Sequence, residues 1–163
     1  MLRIFPKREL IFRTKLSETE ALGRLETHLR RASAGELPLR ADVFVGEVKG
    51  HSFFIHQRIG HNGNSFTPGI AGTVGSDEKG TVIRMTMRLS GCVRIFVLVW
   101  CYVPLLILFL SLVSWIKDGE FNATVLIMVA PLLLMYWMMR SGFRDGSKTA
   151  DAFMAETFEG EMV

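Results

Sequence analysis

Ile95-Phe96-Val97-Leu98-Val99-Trp100-Cys101-Tyr102-Val103-Pro104 opens an apolar run that continues through residues 105–115, interrupted only by Ser111 and Ser114. A second run, residues 121–139, has Asn122 and Thr124 as its only uncharged polar side chains apart from Tyr136 and Trp137. A helix needs roughly 20 apolar residues to cross about 30 Å of hydrocarbon, and both runs approach that length without a charge. The break between them, Lys117-Asp118-Gly119-Glu120, leaves room only for a tight turn in water. The pattern predicts a transmembrane helical hairpin over residues 94–139, with spans at about 95–116 and 121–139.

The flanks of the hairpin give its orientation. Arg84, Arg88 and Arg94 lead into the first run, and Arg140, Arg144 and Lys148 follow the second, while the turn between the runs is acidic on balance. Two spans put both basic flanks on one side, and the positive-inside rule makes that side the cytoplasm. Trp115 suits the outer interface, and Tyr136 with Trp137 the inner one.

Outside the hairpin lie residues 1–93, enough for one modest core, and residues 140–163. The formal charge of +3 conceals an asymmetry: residues 1–94 carry fifteen Lys/Arg against nine Asp/Glu, and residues 140–163 three against five. A basic domain of this kind is drawn toward an anionic leaflet by about 1 kcal/mol for each Lys or Arg that reaches it. The first residues show no apolar segment and no cleavage site of a secretory signal, so the first span would act as the insertion signal. Cys92 and Cys101 are nine positions apart on one predicted helical segment and cannot bridge each other.

Residues 9–16 alternate, with Leu10, Phe12 and Thr14 on one face of an extended chain. Ser17-Glu18-Thr19-Glu20 has the form of a capping box. Leu22, Leu25, Leu29 and Ala32 then fall on one helical stripe, with Arg30 and Arg31 at its C-terminal end and Gly35 placed to stop it. The period then changes. Phe44, Gly46 and Val48 alternate, a Gly50-His51 corner follows, and residues 53–59 form a second strand. Asn62-Gly63 is a strong signal for a tight hairpin turn. Residues 68–75 and 81–89 read as two more strands separated by the turn at Ser76-Asp77-Glu78-Lys79-Gly80, with Arg84 and Arg88 on one face. The fold class is therefore α+β: a small antiparallel β-meander with one amphipathic helix, fused to a two-helix transmembrane hairpin. The last strand runs almost directly into the first span, which holds the sheet close to the membrane. For residues 140–163 an amphipathic helix and a disordered tail remain equally open, with Phe143, Phe153 and Phe158 as its apolar residues.

The run Phe44-x-Gly46-x-Val48, Phe53-x-Ile55-x-x-Arg58, Asn64-Ser65-Phe66-x-Pro68-x-Ile70-x-Gly72-x-Val74 and Met87-Arg88-Leu89 before an apolar span resembles small bacterial membrane proteins of uncharacterised function. The resemblance implies a bacterial origin, hence the inner membrane, and no activity.

No constellation carries chemistry. His51, His56 and His61 recur every five residues, a spacing that alternates faces on a strand, and no thiol or close carboxylate completes a zinc set. Neither a phosphate loop nor a dinucleotide fingerprint occurs, and Ser65, His61 and Asp77 lack the context of a nucleophilic triad. The spans hold no Asp, Glu, Lys, Arg or His, which argues against a proton or ion path. Pro104 and Pro131 lie at matched depth in an antiparallel hairpin and are candidate hinges. The expectation is a non-enzymatic protein without cofactor, metal or nucleic acid: a membrane-anchored accessory or regulatory protein. Its cytoplasmic domain would bind a protein partner or anionic lipid through Arg58, Arg84, Arg88 and Arg94. Two alternatives are a ligand-sensing, membrane-perturbing effector that oligomerises through the hairpin, and a small lipid-modifying enzyme using the His56-Arg58 or His61-Asn64 region.

Overall fold

A computed structural model describes residues 5–34, 43–58, 64–78, 80–119 and 124–162. The chain divides into two compact units, Met1–Leu89 with Gly142–Val163, and Ser90–Ser141.

The first unit is α+β. Its strands are β1 (Lys7–Thr14), β2 (Phe44–Lys49), β3 (Ser52–Gln57), β4 (Gly69–Asp77) and β5 (Gly80–Arg88), with a two-residue β6 (Glu161–Met162). The order is β2-β3-β4-β5-β1-β6, and all pairs are antiparallel. Strands β2 to β5 form the meander expected from their spacing. The first strand, β1, is far from β5 in sequence yet lies beside it along its whole length, from Lys7 opposite Arg88 to Thr14 opposite Thr81. The Asn62-Gly63 turn and the Gly35 helix stop lie outside the described residues.

Alternation divides the sheet into two faces. Phe12, Phe53, Ile55, Ile70, Val74, Ile83, Met85 and Met87 point to the inner face and are buried. The ring of Phe53 lies across Gly72 on the neighbouring strand, where a Cβ would come within 2.3 Å of it. That close approach is why this strand position holds glycine.

Helix α1 (Glu18–Ser33) covers part of the inner face. Its Ser17 cap accepts a hydrogen bond from the Glu20 N–H at 3.3 Å, and Glu18 and Glu20 complement the positive helix start. Glu20 also pairs with Arg24 at 3.5 Å. The buried stripe is Ala21, Leu25, Leu29 and Ala32: Leu25, Leu29 and Ala32 are as expected, with Ala21 buried in place of the half-buried Leu22.

A second helix covers the rest of the inner face. Helix α3 (Thr124–Phe158) does not stop at Met139 but continues to Phe158, so residues 140–158 are helical rather than a loose tail. Ala150, Phe153, Met154 and Phe158 are buried, and Phe153 stacks on Phe44 with centroids 4.5 Å apart. Thr14 donates its hydroxyl to the Phe158 carbonyl at 2.6 Å, and Arg8 pairs with Asp151 at 2.7 Å. Gly142 and Gly146 occur one turn apart on this helix and let the 64–68 segment seat against it. A Cβ on Gly146 would lie 2.7 Å from Pro68 Cδ, and one on Gly142 2.9 Å from Phe66 Cβ. Arg24 bonds to Glu159 at 2.5 Å, tying α1 to the end of α3; that bond is the main reason its pKa is raised above the ordinary arginine value.

The second unit contains helix α2 (Gly91–Asp118) and the first part of α3. Ser90 caps α2 by accepting from the Val93 N–H, and Gly119, with φ +72, ends it through a bond from its N–H to the Trp115 carbonyl at 2.9 Å. The expected first span, 95–116, thus extends by a turn toward its start. Within α2, Gly91–Lys117 is long and apolar enough to cross a membrane, with mean hydropathy 2.7 and 11% of its most apolar window buried. Among the described residues this is the single candidate span. The second apolar run begins outside them, so the described residues support one spanning helix rather than the two-helix hairpin.

Candidate functional site

Among the described residues, no helix of the sheet's own unit lies against its outer face. The alternation that buries Phe53 and Ile55 must turn Phe54 outward, and the same rule exposes Ile11 on β1. Phe54 is 49% exposed and Ile11 43%. Large apolar side chains this open on a sheet face are informative where they adjoin a charged group arranged around a depression.

Such a depression lies across β1, β3, β4 and β5. Glu9, Ile11, Ser52, Ala71, Thr73, Arg84 and Thr86 are among the residues that line about 720 Å³ of shallow cleft. Registration places Arg84 between Ile11 of β1 and Thr73 of β4, and puts Ala71 opposite both Phe54 and Thr86. Ion pairs hold charges on the same face at its two ends: Lys7 with Glu9 at 2.5 Å and Arg13 with Asp77 at 3.3 Å. Arg84 is exposed and, among the described residues, forms no ion pair. A free guanidinium beside exposed apolar side chains is suited to a carboxylate on an otherwise apolar partner surface.

The four arginines singled out from the sequence separate into three roles. Arg84 and Arg88 are both exposed on the outer face of β5, with Arg88 opposite Lys7 and Gly69. Arg58 is half-buried; its guanidinium donates to the Ala32 carbonyl at 3.1 Å, and its N–H extends the sheet by bonding to Val43 at 2.7 Å. It satisfies a carbonyl at the end of α1. Arg94 is exposed in the first turn of α2, in the other unit. Pro104 and Pro131 both line one apolar cleft between α2 and α3.

The remaining polar candidates are dispersed. His51 lies 3.3 Å from Glu18, which also accepts the Ser76 hydroxyl. His56 is exposed on the outer face next to Phe54, with ring centroids 6.2 Å apart. His61 lies outside the described residues, and Asp77 is paired with Arg13. Among the described residues no group of three His, Cys, Asp or Glu is placed to hold a metal.

Sequence reading overlooked Phe54 and Ile11. The signal was present: two adjacent phenylalanines in one strand cannot both face the core. Comparison with known proteins finds no matching family model, no similar curated protein and no similar solved structure.

Proposed function

We propose that this chain is a membrane-anchored accessory or regulatory protein whose sheet unit docks a protein partner on its outer face. Phe54 and Ile11 supply the apolar contact, and Arg84 with Arg88 the charge. The observation that carries this reading is a cleft lined by the exposed Ile11 and Arg84, with Phe54 exposed on the same sheet face and Arg84 in no ion pair among the described residues. The anchor is a two-helix hairpin formed by α2 and the first part of α3, inserted in a bacterial inner membrane with both flanks cytoplasmic. Its support is the length and hydropathy of α2, the second uncharged run, and the basic residues on both flanks.

The partner is expected to present a carboxylate beside apolar side chains, because a desolvated guanidinium needs an anionic counterpart. The test is recovery of a stoichiometric companion from gently solubilised native membranes, compared between the wild type, Arg84→Glu/Arg88→Glu and Phe54→Ser. All three chains should melt alike, since none of these side chains is buried. Loss of the companion from both variants supports the reading, and its retention by both sinks it.

A further inference from the structure

The cleft on the outer face of the sheet has its cause in the sequence of β4. The strand alternates, with Ile70 and Val74 buried and Gly69, Ala71, Thr73 and Gly75 on the opposite face. Every residue on that outer face is short, so β4 forms a low floor between β3 and β5.

Polar groups meet on this floor. Thr73 of β4 is directly opposite Arg84 of β5, and Thr86 is the next residue of β5 on the same face, about 7 Å along the strand. All three line the cleft. Among the described residues, Arg84 has no ion pair and neither threonine hydroxyl has a hydrogen bond. A guanidinium presents five N–H donors in a planar fork, and each hydroxyl adds one more. Donors placed in this way suit the oxygens of an anion.

The surrounding charge limits which anion. Glu9, opposite Thr86, lines the same cleft and pairs with Lys7. That pair cancels, so Arg84 leaves the cleft with one uncompensated positive charge. A single carboxylate matches it, whereas a phosphate dianion would bring surplus negative charge beside Glu9. Ile11, opposite Arg84 on β1 and exposed, gives the cleft an apolar wall. Arg88 does not line the cleft.

We propose that Arg84, Thr73 and Thr86 form a seat for one carboxylate, that of an Asp or Glu side chain beside an apolar residue of the partner. The proposal rests on the docking reading above and narrows it. Arg84 grips the carboxylate through its fork, the two hydroxyls donate to it, and Arg88 adds only long-range attraction.

The probe is acetyl-Leu-Asp-Leu-amide, titrated into the full chain in detergent with ¹⁵N-labelled arginine. Acetyl-Leu-Asn-Leu-amide and inorganic phosphate are the controls. The Nε–H resonance of Arg84, identified by its loss in Arg84→Gln, should move saturably with the aspartate peptide and stay in place with the asparagine one. Thr73→Val and Thr86→Val should each weaken binding by about fivefold, the effect of losing one exposed hydrogen bond. Valine keeps the β-branched shape, so the strands are preserved. Arg88→Gln should change affinity by less than about twofold at physiological salt. The proposal is overturned if no saturable shift occurs, if the two peptides titrate alike, if phosphate binds more tightly, or if the threonine variants bind as well as the wild type. Co-purification from membranes separates this seat from the docking reading. A companion lost from Arg84→Glu/Arg88→Glu and Phe54→Ser but kept by Thr73→Val/Thr86→Val removes this inference alone, whereas a companion kept by every variant removes both.

Discussion

Helices α1 and α2 are both capped by serine, yet they are made for different surroundings. In α1, Ala21, Leu25, Leu29 and Ala32 form one buried stripe and the opposite side is charged. In α2 the large apolar residues are exposed on every side, from Trp100 and Phe109 to Ile116 at 75%. A helix that is apolar all round suits a large core or lipid, and 11% of the most apolar window of α2 is buried. Caps and propensity therefore define where a helix starts and stops. The distribution of apolar residues around it defines its solvent.

The sheet unit should respond to core truncation and the apolar unit to charge. Phe44→Ala removes the ring stacked on Phe153 and should cost about 3–5 kcal/mol, read from thermal unfolding of the full chain in detergent. A loss below 1 kcal/mol would mean the C-terminal part of α3 is not packed there. Leu106→Arg in the middle of α2 should oppose insertion by about 2.5–3.5 kcal/mol and release chain on alkaline extraction of membranes. If α2 is not in lipid, extraction will be unchanged.

Two glycines sharpen the contrast within the sheet unit. At Gly146 an added methyl meets the Pro68 ring and the Thr67 backbone, so Gly146→Ala should destabilise by about 1–3 kcal/mol despite better helix propensity. At Gly23, on the open side of α1, nothing lies within 4 Å, and Gly23→Ala should stabilise by up to about 1 kcal/mol. Melts that move in the same direction for both would show that α3 does not approach the 64–68 segment as described.

Local chemistry made much of this fold legible. The Ser17 cap, the stripe through Leu25 and Leu29, and the alternation of Phe53 and Ile55 each depend on neighbours a few residues away. Long-range geometry was not legible. Nothing local places β1 beside β5, and Gly142 and Gly146 lower helix propensity, so residues 140–163 could be read as a tail. Their purpose, close contact with Phe66 and Pro68, exists only once distant segments meet. Arg58 illustrates the same limit at the candidate site: its basicity was visible, but the Ala32 carbonyl that occupies it was not.

The sheet unit is discontinuous, built from Met1–Leu89 and Gly142–Val163. On the ribosome its five main strands emerge before the residues that complete their cover. Phe12, Phe44 and Phe53 must wait for Phe153, Met154 and Phe158 while Ser90–Ser141 is translated, an interval on the order of seconds. During that time the nascent chain presents both a sheet covered only by α1 and the exposed apolar helix α2. The first calls for a holding chaperone, so a stop codon shortly after Ser141 should yield a chain that remains on that chaperone instead of accumulating.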